Sequence, residues 1–230
     1  MILAAHQPCF LPSIHFFARL MSANIFVLAD DLKFTRQAQI NRTKIKTVEG
    51  AKWLTVPVLT KHQKSQLIRD VRINDISNWQ RKHLKTLHVN YIYASYFEKY
   101  MDYFENLYQK SFRNLLDLNL EIIQFLCKEL DITTKVVLSS EIKGNREGRE
   151  KIIDYLTYLN CHTFLAEPRY RDYLTEIDFG KYGKNVKYFY FTDPVYYQQF
   201  GKFCPGLSIA DLLFNEGPES KNILTKYNSG

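Results

Sequence analysis

A histidine and a glutamine directly follow the first apolar run of the chain, where groups with acid–base and hydrogen-bonding chemistry can meet a ligand. The run from Ile2 to Ala5 predicts a buried strand, and His6 and Gln7 come next. Pro8 and Pro12 restrict the shape of the loop by locking φ. An imidazole with an ordinary pKa of about 6.5 can accept or donate a proton. We predict that His6 acts as a catalytic base or acid; the alternative is that it only forms a hydrogen bond within the loop. Gln7 is predicted either to bind the substrate through its amide or to form a hydrogen bond within the loop.

Two adjacent aspartates follow the next predicted strand. A helix from Ile14 to Met21 and a strand from Ile25 to Ala29 complete a parallel unit, whose strands end at one edge of the sheet. We predict Asp30 and Asp31 as catalytic residues, one of which orients His6; the alternative is that they only form the turn. Two carboxylates without further ligands do not indicate a metal site, and we predict none.

A basic pair follows in a segment with β character. Arg42 and Lys44 are two residues apart, so on a strand both side chains lie on one face, next to Asn41. A guanidinium binds phosphate in a bidentate manner, and an ammonium acts as a point charge. We predict Asn41, Arg42 and Lys44 as substrate-binding residues that hold a diphosphate, against the alternative of a solvated charged face.

A second basic group precedes a predicted amphipathic helix from about Arg146 to Leu159. Lys143 and Arg146 flank the start of this helix, and Arg149 follows within its first turn. Backbone amides at a helix N-terminus bind anions, and adjacent cations strengthen the binding. We predict Lys143 and Arg146 as phosphate-binding residues, with a solvated loop as the alternative.

The remaining reactive side chains have ordinary structural explanations. His83 shares a helical face with Trp79 and Leu87, which is typical of a core histidine. Cys9 lies in the opening loop, but an activated thiolate needs a base or a cation beside it, so we do not predict a cysteine nucleophile.

Composition describes a globular chain with a basic balance. Of its 230 residues, 46% are hydrophobic, and the net charge of +7 favours anionic partners. Four cysteines without paired spacing are expected to be free thiols, as in the cytoplasm. We find no apolar run long enough to span a membrane and no nucleic-acid-binding motif, so we predict no membrane span and no nucleic-acid partner.

The order of predicted elements indicates an α/β fold. Strands at the start and in the last third of the chain alternate with helices, which predicts a mostly parallel sheet with flanking helices. The residues from about 76 to 131 have helical periodicity and form a helical middle section. No linker or repeat divides the chain, so we predict one domain over residues 1–230.

Several of these motifs together resemble the WbqC-like protein family. The matching residues are His6-Gln7-Pro8 with Leu11-Pro12, Asp30-Asp31, Asn41-Arg42 with Lys44-Ile45, Trp53-Leu54-Thr55-Val56-Pro57-Val58, Trp79 with His83, Tyr197-Gln198, and Leu207-Ser208-Ile209 with Asp211-Leu212-Leu213-Phe214. The resemblance adds His83 as a secondary catalytic residue and Gln198 as a substrate-binding residue.

Two segments depart from the family pattern. Many members have a tryptophan and a glycine after the second proline, where this chain has Ser13-Ile14-His15. Relatives also tend to have a Ser-Gly pair after a late strand, where this chain has Ala166-Glu167. Both departures fall at the predicted ligand-binding edge.

The resemblance implies a role in the biosynthesis of bacterial O-antigen or another surface polysaccharide. We expect an enzyme that transfers an acyl or aminoacyl group to an amino sugar, with a nucleotide-linked sugar or another phosphorylated small molecule as ligand. The donor would be acyl-coenzyme A or an acidic acyl carrier protein. The alternatives are a nucleotidyltransferase-like enzyme and a non-catalytic binding or scaffold protein.

Overall fold

The main sheet combines strands from the start and the last half of the chain. The computed structural model describes residues 1–36, 38–60, 65–175 and 177–227. The strands are β1 (Ile2–His6), β2 (Ile25–Leu28), β3 (Arg42–Thr47), β4 (Gly50–Thr55), β5 (Lys135–Leu138), β6 (Thr163–Ala166) and β7 (Asn185–Tyr188). The α-helices are α1 (Ile14–Met21), α2 (Trp79–Tyr91), α3 (Phe97–Gln109), α4 (Leu115–Glu129), α5 (Lys151–Tyr158), α6 (Arg171–Thr175), α7 (Ile209–Glu216) and α8 (Ser220–Tyr227).

Five strands form a parallel sheet in the order β5-β2-β1-β6-β7. His6 pairs with Leu28 across β1 and β2, and Ala166 pairs with Tyr188 across β6 and β7. From β1 the chain continues outward on one side through β2 and β5, and it later returns to β6 on the other side. The strand order therefore reverses between β1 and β6, and the crevice at such a point is where open α/β sheets bind ligands.

Side chains of β1 alternate between two hydrophobic cores, one on each face of the sheet. Ala4 belongs to the larger core, which includes Phe17 of α1, Leu118 of α4 and Leu212 of α7. Leu3 belongs to the smaller core, together with residues of α5 and β6. Successive side chains of β1 point to opposite faces of the sheet, and each face is covered by helices. This arrangement confirms the predicted α/β fold.

The helical middle section is present as three consecutive helices, α2, α3 and α4. The segment before it forms a separate antiparallel hairpin, in which Lys44 of β3 pairs with Trp53 of β4. β4 ends at Thr55, two residues before Pro57, which lacks the amide hydrogen needed to continue the ladder. Within the described residues, the helices are all too short or too polar to cross a lipid bilayer.

The helix predicted to begin near Arg146 begins five residues later, at Lys151. Gly148 precedes it with φ at +58°, a left-handed conformation that glycine adopts without steric cost. The preceding residues therefore form a loop and a 3₁₀ turn, and Arg146 lies outside the helix.

Candidate functional site

A cavity of about 850 Å³ opens at the carboxyl ends of β1 and β6. Its walls come from the loop after β1, the start of α5 and the segment after β6. Among the residues that line it are His6, Gln7, His15, Lys151 and Glu167. The position agrees with the reversal of strand order, because the loops that leave β1 and β6 diverge there.

His6 is a neutral imidazole with a defined tautomer. Its Nδ1 atom lies 2.8 Å from the backbone oxygen of Gln7. A carbonyl oxygen only accepts, so Nδ1 carries the hydrogen and Nε2 is left as an acceptor. Burial, reinforced by the charge of Arg19, lowers the pKa of His6 to about 4, although Glu167 opposes the shift. Nε2 is therefore unprotonated at neutral pH and has a lone pair that can accept a hydrogen bond, while the lowered pKa makes it a weaker base than an ordinary imidazole.

Glu167 is the carboxylate beside His6, at 3.8 Å between Oε1 and Nε2. It lies between two arginines, with Arg19 Nη1 2.8 Å from Oε1 and Arg169 Nη2 2.6 Å from Oε2. Burial alone would raise the pKa of Glu167, but the positive charges of Arg19 and Arg169 outweigh it and hold that pKa below its usual value. None of the described residues donates an aligned hydrogen bond to Oε1.

Arg19 fixes Glu167 from inside the protein. Its guanidinium is buried, and Nη2 donates a hydrogen bond of 2.7 Å to the backbone oxygen of Ala5 in β1. The same side chain thus ties the end of β1 to the carboxylate that follows β6. This arrangement holds His6 and Glu167 at a fixed separation.

Several charged or titratable residues of the cavity were not among the predicted site residues, and they include Glu167, His15 and Lys151. His15 packs edge-on against Phe189 and Phe191, and burial lowers its pKa. Glu167 had a usable sequence signal, since it directly follows a strand, as His6 does. His15 and Lys151 had none beyond residue type, because their meeting at one cavity depends on the sheet order.

Asp30 and Asp31 lie at the predicted sheet edge but do not orient His6. Asp30 is buried and accepts hydrogen bonds from the Ser139 hydroxyl and from the amide and hydroxyl of Ser140. Asp31 accepts a hydrogen bond from Ser139 and pairs with Lys151. Burial raises the pKa of Asp31, but its hydrogen bonds from Lys151 and Ser139 bring the pKa below its usual value. Both carboxylates tie β2 to the segment after β5, and the expected bond to His6 is replaced by the contact with Glu167.

The thiol of Cys9 lies in the cavity wall but is not activated. Its Sγ is 3.7 Å from His6 Nδ1 and donates to the backbone oxygen of Gln7 at 3.4 Å. Burial, with the charge of Glu167 adding to it, raises the pKa of Cys9 to about 12. The thiol therefore remains protonated at neutral pH and is a poor nucleophile.

The opening loop is held by buried hydrogen bonds. Leu11 has a positive φ of 43°, a strained conformation for this residue type. Its backbone oxygen accepts bonds from the hydroxyls of Thr43 and Ser208, at 2.8 and 3.0 Å. Asn119 of α4 donates to the backbone oxygens of Pro8 and Ile40. These bonds fix the conformation of the loop that follows His6.

The hairpin residues Asn41, Arg42 and Lys44 lie away from the described lining of the cavity. Arg42 and Lys44 share one face, as predicted, since both cations lie over the ring of Trp53, at 4.3 and 5.2 Å. The amide of Asn41 is buried and donates to the backbone oxygen of Val56 at 2.9 Å. The structure thus brings the three residues to the hairpin and not to His6.

Lys143 and Arg146 also lie outside the lining of the cavity in the described residues. Lys143 is exposed, whereas Arg146 forms an ion pair with Asp154 of α5. The basic residues of this region that reach the cavity are Arg149 and Lys151. Arg149 and Lys151 reach the cavity, and Lys143 and Arg146 do not, because the helix begins at Lys151 and not near Arg146.

His83 and Gln198 are engaged elsewhere in the fold. His83 donates from Nε2 to the Thr55 backbone oxygen at 3.0 Å and accepts from the Tyr108 hydroxyl at 3.1 Å. Burial lowers the pKa of His83 to about 4. Gln198 donates to the Cys204 backbone oxygen and accepts from the Cys204 amide, so its side chain closes a loop. Neither residue is brought to the described cavity wall.

All four cysteines lie in the described part of the chain and are free thiols. Within the described ranges, no three histidine, cysteine or acidic side chains are grouped so that they could hold a metal ion.

Comparison with known proteins identifies the family. The model of the WbqC-like protein family matches residues 7–223. The uncharacterized protein Rv1507c of Mycobacterium tuberculosis is 30% identical over 220 residues, which cover 95% of each chain. No solved structure matches the chain. The resemblance inferred from the motifs is confirmed: the chain belongs to the WbqC-like protein family.

Proposed function

We propose that this protein is an enzyme of bacterial surface-polysaccharide biosynthesis, such as that of O-antigen, which transfers an acyl or aminoacyl group to the amine of a nucleotide-linked sugar. The pathway is the one that the family resemblance implies. The reaction is supported by one geometric relationship, the imidazole of His6 in the cavity wall with its Nε2 3.8 Å from the carboxylate of Glu167.

The two groups differ in access from the cavity. The His6 side chain is 23% exposed, whereas Oε1 of Glu167 is buried. A substrate amine can therefore donate a hydrogen bond to Nε2 of His6, and Glu167 acts on the imidazole through its charge and not on the amine.

The chemistry is then a direct transfer. The amine nitrogen forms a bond to the carbonyl carbon of a thioester donor, such as acyl-coenzyme A or an acyl carrier protein. His6 Nε2 takes the amine proton, and Glu167 stabilises the resulting imidazolium. The carbon–sulfur bond breaks, and the departing thiolate recovers the proton from the imidazolium. Cys9, whose pKa is raised, takes no part.

The cavity has a composition suited to a phosphorylated sugar. Its described lining contains the cations Arg19, Arg149, Lys151 and Arg169 and the two carboxylates Glu167 and Asp193. An excess of cations attracts anionic ligands. Acyl thioester donors and nucleotide-linked sugars are found in the cytoplasm, so we propose that the protein acts there.

The test combines binding and turnover. Purified protein is first screened by thermal unfolding against nucleotide-linked amino sugars and acyl-coenzyme A; a ligand at 100 times its dissociation constant stabilises a protein by about 2.7 kcal/mol. The compounds that bind are then combined, and amide formation is followed by mass spectrometry.

His6→Ala is expected to reduce turnover by about 10²- to 10⁴-fold, the usual contribution of a general base. The exposed His88→Ala serves as the matched control and should keep full turnover. Turnover of His6→Ala within a few-fold of the unsubstituted protein would contradict the assigned role. Ligand binding without amide formation from any thioester donor would favour a binding or scaffold role instead.

A further inference from the structure

Two arginine–tyrosine pairs stand at the mouth of the cavity. The guanidinium of Arg149 lies 4.9 Å from the ring centroid of Tyr173, and Arg149 Nη1 also donates to the Tyr173 backbone oxygen at 3.3 Å. The guanidinium of Arg169 lies 5.0 Å from the ring centroid of Tyr170. All four residues line the cavity. We refer to these two pairs as the rim pairs.

The rim pairs combine exposure with contact to the cavity. Tyr170 is 45% exposed and Tyr173 is 47% exposed. Large aromatic side chains that bury only about half of their surface leave a ring face for a ligand. The arginine on the other face orients each ring and adds positive charge beside it.

Arg169 connects the rim to the reacting groups. Its guanidinium pairs with Oε2 of Glu167, whose other oxygen faces His6. A ligand that contacts Arg169 at the rim is therefore one residue, Glu167, away from His6. The cavity, at about 850 Å³, lies within the usual size range of small-molecule and cofactor sites.

This combination of chemistry is suited to a nucleotide. A nucleobase has a planar face that stacks on aromatic side chains, and its diphosphate accepts bidentate hydrogen bonds from guanidinium groups. We propose that the rim pairs form the subsite for the nucleoside diphosphate of the acceptor, with the base on the tyrosine rings and the phosphates on Arg149 and Arg169. The inference rests on the proposed function for the sugar amine at His6, but its own test requires no turnover.

The chain offers a matched control pair outside the cavity. Arg171 lies 4.7 Å from the ring centroid of Tyr188 and donates to the hydroxyl of Tyr190 at 2.8 Å. Tyr190 is 62% exposed, and neither Arg171 nor Tyr190 belongs to the described lining of the cavity. Tyr190→Ala thus removes an exposed tyrosine ring and its contact with an arginine, and it leaves the rim pairs unchanged.

The experiment is isothermal titration calorimetry with uridine, guanosine and thymidine diphosphates, and with inorganic pyrophosphate. At least one nucleoside diphosphate is expected to bind the full-length protein, and Tyr173→Ala or Tyr170→Ala should weaken that binding about tenfold, since stacking on an aromatic ring contributes on this scale. Tyr173→Phe keeps the ring and should stay within about twofold of the unsubstituted protein. Tyr190→Ala should bind normally.

Several outcomes would overturn the nucleotide subsite. They are no binding of any nucleoside diphosphate at millimolar concentration, pyrophosphate binding as tight as the nucleotides, or equal weakening by Tyr190→Ala and Tyr173→Ala. His6→Ala separates the two proposals, because it should reduce amide formation by about 10²- to 10⁴-fold while leaving nucleoside diphosphate binding unchanged. A His6-dependent transfer to a nucleotide-linked amino sugar whose KM is the same in Tyr170→Ala, Tyr173→Ala and the unsubstituted protein would reject the subsite and retain the proposed function.

Discussion

The Nε2 atom of His6 lies 3.8 Å from Oε1 of Glu167, although the two residues are 161 positions apart in the chain, one at the end of β1 and the other directly after β6. β1 and β6 are parallel neighbours, so their carboxyl ends meet at one edge of the sheet. The imidazole is neutral, and the carboxylate beside it is ionised.

Glu167 is expected to be essential for stability, because it compensates the buried guanidinium of Arg19. Glu167→Gln leaves that charge without its partner and should lower the free energy of unfolding by about 3–5 kcal/mol, measured by urea denaturation. Arg169→Gln is the control. Its side chain is 63% exposed, and exposed ion pairs contribute about 1 kcal/mol or less. Similar small losses in both variants would show that Arg19 does not depend on Glu167.

Stability is expected to fall between pH 6.5 and pH 4. The pKa values of His6 and His83 are about 4 in the folded protein, below the ordinary 6.5. Over this interval the unfolded chain binds protons that the folded protein does not, so stability is complete above the upper limit and decreases as the pH falls. Each histidine contributes on the order of 2–3 kcal/mol. Urea denaturation at several pH values measures the free energy of unfolding, and His83→Asn should reduce its dependence on pH. A free energy of unfolding that stays constant between pH 6.5 and pH 4 would refute the prediction.

Asp30 is expected to act on stability and not on His6. Asp30→Asn places an amide where the carboxylate accepts bonds from Ser139 and Ser140, which should lower the free energy of unfolding by about 1–3 kcal/mol. The pKa of His6, followed by NMR of the ring protons, should not change. Glu167→Gln should lower that pKa further, because the negative charge of Glu167 raises it. A shift of the His6 pKa in Asp30→Asn alone would restore the orienting role predicted from the sequence.

Cys9 is expected to be unreactive in the folded protein. With its pKa raised to about 12, the thiol should resist iodoacetamide at pH 7.5, as measured by mass spectrometry of the labelled peptides. The same peptide labelled after unfolding in urea provides the positive control. Cys9→Ala should keep transfer activity within a few-fold. Rapid labelling of native Cys9 together with loss of turnover in Cys9→Ala would indicate a covalent acyl intermediate.

Local sequence patterns were sufficient for most secondary-structure elements. The apolar run of β1 and the helical periodicity of residues from about 76 to 131 depend on neighbouring residues, so both elements were predicted correctly. Ser208 caps α7 in the same local way, since its hydroxyl accepts from the Ala210 amide. The carboxylate of Asp211 instead accepts bonds from the hydroxyls of Tyr91 and Tyr196. Those tyrosines are distant in sequence, and no local pattern identifies them.

The sequence by itself determined the family, the α/β class and the position of His6 at the end of a strand, because motifs and hydrophobic periods are local properties. Only the tertiary structure decided which charged groups surround His6. Glu167 meets it because β6 pairs with β1, and Arg19 of α1 binds Glu167, whereas Asp30 bonds to Ser139 and Ser140 after the neighbouring β5. Strand order is set by long-range packing of the two cores, and this packing places the histidine at the end of β1 beside the carboxylate after β6.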